Sequence, residues 1–140
     1  MSKKITKIHF NLNTIPIEQQ DYKSADNWFD PNEWTGELFF ETLTGDTGNK
    51  DHNFLILIHA LVEQYLCYRK GITADEVTAF DLAHPDSLEP GDEKKSPYRK
   101  QHAVATEVEA IVSVALGVDW GKYEESINKM LERYKDKKHD

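Results

Sequence analysis

His59 and Glu63 stand four residues apart in NFLILIHALVEQYLCYRK (53–70), the longest apolar segment of the chain. On a helix that spacing sets an imidazole and a carboxylate on one face, about 6 Å apart, so that a ring nitrogen and a carboxylate oxygen can meet one cation. Further along, His102 and Glu109 share a helical face at seven residues' separation. They lie roughly 10.5 Å apart along the axis, too far for both to ligate one ion. His102 added to His59 and Glu63 gives two imidazoles and one carboxylate with room for water. That donor set suits a divalent metal such as zinc or iron(II), with manganese as a further choice. The same residues have a second reading. If the helices that carry them run antiparallel, Glu63 is level with His102 and His59 with Glu109. Two hydrogen-bonded His–Glu pairs then satisfy four buried polar groups with no metal.

Other chemistry is thinner. Between 71 and 93 the acids Asp75, Glu76, Asp81, Asp86, Glu89, Asp92 and Glu93 occur with no lysine or arginine. They lack the ordered spacing of a calcium loop and read as a solvated surface. Asp81, following Phe80 on a short helix, is the exception: a fourth ligand or an orienting group. Asp81 and Glu109 are the candidates for a catalytic base. Tyr98, Arg99 and Lys100 open a helix, where backbone N–H groups and cations suit an anionic ligand. Asp46-Thr47-Gly48 copies an aspartic-protease string without the apolar strand that must precede it. Gly45 to Lys50 lacks the spacing of a phosphate loop. Cys67, the sole cysteine, sits among Tyr65, Leu66 and Tyr68 as a small core residue, and no disulfide or thiolate zinc knuckle can form within the chain.

Positioning these groups requires the following elements. Alternation of Ile5, Ile8, Phe10 and Leu12 predicts a half-buried strand over about 4–12, and ELFFETLT predicts a second over 37–44, with Leu38, Phe40 and Thr42 on one face. Between them, residues 13–36 read as a long loop with at most one short strand, whose Trp28, Phe29 and Trp34 fold back over the core. A helix apolar on every side covers about 52–70, capped by Asp51 and stopped by Gly71. Thr73 and Glu76 form a capping box for a helix over about 74–84. Ser96-Pro97 starts a third, 97–116, closed by Gly117, with Val104, Val108, Ile111, Ala115, Ala105, Val112 and Leu116 as its broad apolar face. Asp119 caps a fourth, 120–136, with Trp120, Tyr123, Ile127, Met130, Leu131 and Tyr134 inward. The expected fold class is α+β, one domain of 1–140 in which a short hairpin or small sheet packs against a bundle of about four helices.

A chain of 140 residues with net charge −8 supports one core and argues against a general nucleic-acid or anionic-membrane surface, which needs a positive face. MSKKITKIHF is charged like a signal peptide but no apolar run follows, and no segment approaches a membrane span, so the expected location is cytoplasmic.

Several strings together resemble a group of small uncharacterised phage and prophage proteins. They are Ala25-Asp26-Asn27-Trp28, H-A-L-V-E-Q-Y-L-C (59–67), G-I (71–72), F-D (80–81), P-G-D (90–92), S-P-Y-R-K-Q-H (96–102) and L-G-V-D-W (116–120). The resemblance spans residues from about 5 to 130. It implies the same element order, a first helix of H-E-x-x-E type, and attention to His59, Glu63, Asp81, His102 and Glu109, with no established activity. Where that pattern has glutamate, this chain has Ala60. The glutamate is the general base of H-E-x-x-H zinc hydrolases, so proteolysis by that route is not expected.

Two functions follow. In one, His59, Glu63 and His102 hold a divalent metal that activates water for hydrolysis of a small substrate, with or without a phosphate group. In the other, the chain is a non-enzymatic accessory protein acting on a host protein. The aromatics near Trp28–Trp34 would then be its contact surface and the His and Glu residues a hydrogen-bond network.

Overall fold

The computed structural model describes residues 4–19, 25–87 and 89–139, and the side chains of all of these save 25–28 and 134–139. It is an α+β fold with the strands β1 (Lys7–Ile15), β2 (Ala25–Asn32) and β3 (Glu37–Gly45), followed by the helices α1 (Lys50–Lys70), α2 (Ala74–Ala83), α3 (Arg99–Leu116) and α4 (Trp120–His139). Single 3-10 turns stand at Ile17–Gln19 and Pro90–Asp92.

The sheet order is β1-β3-β2. The β2–β3 hairpin is antiparallel, and its turn is set by Asn32, whose side-chain oxygen accepts from the backbone N–H groups of Trp34 and Thr35. Gly36 completes the turn at φ 74, a left-handed conformation that favours glycine. β1 runs parallel to β3, from Lys7 opposite Glu37 to Ile15 opposite Gly45. The expected strand over 4–12 is therefore shifted toward Pro16, and the expected long loop contains β2. ADNWFDPN has no clean alternation, and it holds Pro31 because an edge strand tolerates a missing N–H. β1 is also less buried than its pattern suggests, with Ile8 and Phe10 nearly half exposed.

β3 is the strand its alternation predicts. Leu38, Phe40, Thr42 and Thr44 are buried on one face while Glu41 is exposed on the other. α1 lies across the buried face. Tyr65 and Tyr68 pack their rings on Phe40, and Gln64 Nε2 donates to Thr42 Oγ1 at 2.6 Å between two buried side chains. The N-terminal half of α1 supplies Leu55 and Ile56 to a second core with Tyr123 and Met130 of α4, and Val112 of α3 packs against it.

Asn49, not Asp51, caps α1, because its side chain accepts from the N–H groups of Asp51 and His52. α3 begins at Arg99, after a turn in which Ser96 Oγ accepts from the Tyr98 N–H. Three expectations about burial are overturned. Trp34 is 79% exposed in the tight turn between β2 and β3, so it does not fold back over the core. Phe54 reaches solvent, so α1 is not enclosed on every side. Of the broad apolar face expected on α3, Val104, Ile111, Ala115 and Leu116 are exposed, while Ala105 and Val112 turn inward as expected, beside His102, Glu109 and Ser113 on the buried side. Phe29 does pack on Phe40 and Tyr68; the side chains of Trp28 and Tyr134 lie outside the described residues. Among the described residues no helix is long and apolar enough to cross a membrane.

Candidate metal centre

α1 and α3 pack with opposed directions, because His59 meets Glu109 while Glu63, one turn on, meets His102. Each contact pairs a residue later on one helix with a residue earlier on the other. His59 Nδ1 lies 2.7 Å from Glu109 Oε1, and His102 Nδ1 lies 2.8 Å from Glu63 Oε2. The other nitrogen of His59, Nε2, turns toward the same Glu63 oxygen at 3.1 Å and toward His102 Nδ1 at 3.3 Å. Three potential donor atoms from three side chains thus converge.

The size of that triangle matters. Its edges are 3.3, 3.1 and 2.8 Å. A zinc-sized ion about 2.1 Å from each atom would sit roughly 1 Å off their plane, leaving the far side for a fourth ligand. His59, Glu63 and His102 thus form a group that could hold a metal ion. Glu109 is not in it; a full two turns beyond His102, it instead bonds the outer nitrogen of His59.

His102 is engaged on both sides. Its Nε2 lies 3.3 Å from Asp92 Oδ1 and 3.4 Å from Glu89 Oε2, which makes these three a second group of possible ligands. Both acids belong to the acidic stretch that sequence reads as plain solvated surface. The turn at Pro90–Asp92 carries them to α3, and nothing in the spacing of an irregular segment announces that contact.

The ionisation of the cluster follows from its packing. Burial by itself drives His59 toward the neutral form, but the hydrogen bonds to Glu109 and Glu63 outweigh it and hold the ring's pKa at about 10. Burial likewise opposes protonation of His102, and the bond to Glu63 more than compensates, so its pKa is raised. Burial would raise Glu63, but its bonds to His102 and His59 bring it below the usual carboxylate value. The centre is thus built to carry positive charge between α1 and α3, as protons or as a cation.

Asp81 and the Tyr98 corner lie apart from this point. Tyr98 is buried and its hydroxyl donates to Asp81 Oδ1 at 2.5 Å, while its ring meets the His102 ring edge-on. Asp81 is thus bonded to Tyr98 and is not one of the side chains whose donor atoms converge. Arg99 and Lys100 are exposed, and Lys100 lines a shallow groove with Arg69 and Lys70 at the other end of α1. The expected anion-binding trio does not gather in one place, because the hydroxyl of Tyr98 points into the fold.

A cavity of about 360 Å³ opens beside the centre, near the lower end of the range for small-molecule sites. His59, His102 and Glu109 line it on the helix side, and Trp120 and Tyr123 of α4 face them. Sequence places these two aromatics in a core stripe; the period that marks them as inward is the same for a core and for a cavity wall. Compared with protein-family models, curated proteins and solved structures, the chain matches none of them.

Proposed function

We propose that this chain holds one divalent metal ion between α1 and α3 through His59, His102 and Glu63, and uses it to activate water for hydrolysis of a small substrate in the adjoining cavity. Zinc is the first choice, with iron(II) or manganese as alternatives. One observation supports this above the others: each imidazole keeps one nitrogen against a carboxylate and turns the other toward Glu63. A histidine whose outer N–H is held by a carboxylate presents a fixed lone pair on its inner nitrogen, the usual arrangement around a protein-bound metal. Glu109 plays that part for His59, and Asp92 with Glu89 for His102.

Two imidazoles and one carboxylate leave a coordination position for water, whose acidity a bound zinc would raise. With Ala60 in place of the glutamate of the H-E-x-x-H pattern, a base must come from elsewhere. Glu109 lines the cavity and Asp81 does not, so Glu109 is the stronger of the two candidates.

Metal analysis of protein purified without a metal-affinity tag tests the reading. About one equivalent, or a thermal shift on adding zinc, iron(II) or manganese, is expected. Less than about a tenth of an equivalent with no shift for any of the three would leave the cluster as a hydrogen-bond network. Replacing His59 and Glu63 together by apolar residues then separates the roles. Retained fold with lost metal supports the centre, and a fold unchanged in stability with no metal in either protein opposes it.

A further inference from the structure

α3 has two apolar strips, and the chain buries only one of them. Ala105 and Val112 turn inward with His102, Glu109 and Ser113. Val104, Val108, Ile111 and Ala115 run along the outer side. Val108 is half-buried and the other three are exposed, with Ile111 70% and the adjoining Val114 81% open to solvent. Apolar surface held in water is unfavourable, and a contiguous strip of it marks a contact surface where single exposed residues do not.

The outer strip steps by four, three and four residues. Alternating steps of four and three are the seam of a helix that packs lengthwise on another helix. Its β-branched residues have few rotamers to lose when covered. Turned end for end, the strip also matches itself. Val108 falls opposite Ile111 of the second helix, and Val104 opposite Ala115. A contact between identical chains about a two-fold axis requires that self-match.

The ends of α3 select the direction. Arg99 and Lys100 open the helix with no acid in its first turn, and its last turn has no base. Each end therefore lacks the charge that suits it, because a helix start favours acids and a helix end favours bases. An antiparallel second copy corrects this. It brings Arg99 and Lys100 to the other helix's C-terminal carbonyls and toward Asp119, which is exposed just past Gly117. A parallel copy would set the same cations against each other.

We propose that the outer face of α3 is the interface of a symmetric antiparallel dimer, covered by α3 of a second copy of this chain. His102 and Glu109 lie on the inner side, so the dimer leaves the donor cluster clear and does not depend on a metal.

Sedimentation velocity of the full chain over a concentration series tests it. A strip of this size gives an expected dimer Kd of about 1–100 μM, and monomer alone up to ~500 μM would overturn the proposal. Ile111→Glu is expected to weaken the dimer at least about a hundredfold with the far-ultraviolet circular dichroism unchanged, since the charge enters the contact twice. A dimer that survives this change would also overturn it.

Lys100→Glu tests the direction. It supplies the acid that the first turn of α3 lacks, so the melting temperature of dilute monomer should rise while the dimer weakens roughly tenfold. An unchanged or tighter dimer would overturn the antiparallel arrangement. Should Ile111→Glu fail to fold, cysteines decide, since the native Cys67 is buried. Val104→Cys with Ala115→Cys in one chain should give a disulfide-linked dimer on mild oxidation, and Val104→Cys alone should give none. Linkage through Val104→Cys alone, or no linkage of the double variant, would overturn the proposal.

Discussion

Gly91 touches the ring of His102 so closely that a Cβ on residue 91 would fall 2.5 Å from His102 Cγ and 2.6 Å from Nδ1. The turn at Pro90–Asp92 thus lies flat on the imidazole, and only a hydrogen fits between them. Gly91→Ala must push the ring or the turn aside. Overpacking of this kind costs about 1–3 kcal/mol. Because Nδ1 is one corner of the donor triangle, the same change is expected to lower zinc affinity at least about tenfold while the far-ultraviolet circular dichroism stays that of a folded protein. Zinc competition against a chromophoric chelator measures it; unchanged affinity would mean that the ring's position is set elsewhere.

Glu109→Gln tests the outer bond of His59. The amide keeps the shape and can still accept from Nδ1, but the charge is gone. If the proposed centre holds zinc, its affinity should fall about 10- to 100-fold, as when an orienting carboxylate is lost from a metal-bound histidine. Glu109→Asp, which shortens the reach, is expected to fall between the two proteins.

The pH dependence of the metal-free protein has a definite sign. His59 is held up at about 10 against 6.5 for a free ring, so its contribution to stability is complete below about pH 6.5 and is lost as pH rises toward 10. Glu63 is shifted below its ordinary 4.5. Its contribution is present above about pH 4.5 and is lost as pH falls further. The cluster therefore stabilises the metal-free fold most between about pH 4.5 and 6.5. Zinc displaces protons from the rings, so its apparent affinity should climb from pH 6.5 toward 10. Melting temperature and zinc affinity measured across this range should move in opposite directions; a metal-free Tm that climbs from pH 7 to 10 would contradict the assignment.

Cys67 offers a probe away from the centre. Burial first, and then the charge of Glu63, push its thiol up to about 12. At pH 8 it should react with a disulfide reagent roughly a hundredfold more slowly than a free thiol, and at an ordinary rate once the chain is unfolded in guanidinium. Fast labelling of the folded protein would show that the sheet side of α1 opens readily.

The α+β class was legible because β3 alternates cleanly and α1 and α3 end on readable signals, Gly71 and Gly117 in left-handed conformation; α4 has no such stop, and runs to His139 rather than the expected 136. β2 was not, because an edge strand held by its backbone needs no apolar alternation. On α3, apolar period misled. Val104, Ile111 and Ala115 of the expected apolar face reach solvent, and the helix buries the edge of it with Ala105 and Val112 together with His102 and Glu109. Those two groups have partners waiting on α1, and a paired polar group can be buried where an unpaired one cannot. The i, i+4 spacing of His59 and Glu63 marked where α1 would carry chemistry. The turn bearing Glu89, Gly91 and Asp92 carried no such mark, since its contact with His102 is made entirely by tertiary folding.

The bond from Gln64 to Thr42 ties the sheet to this chemistry in an unexpected way. Gln64 directly follows Glu63, and neighbouring side chains on a helix diverge by about 100°. One therefore grips β3 while the other faces α3. The sheet consequently acts as a key for the axle of α1, setting its angular phase. Any slackening at Thr42, however remote from the donor triangle, would turn Glu63 out of alignment, so the selectivity of the proposed centre for one cation over another would drift through changes in a strand that never meets it.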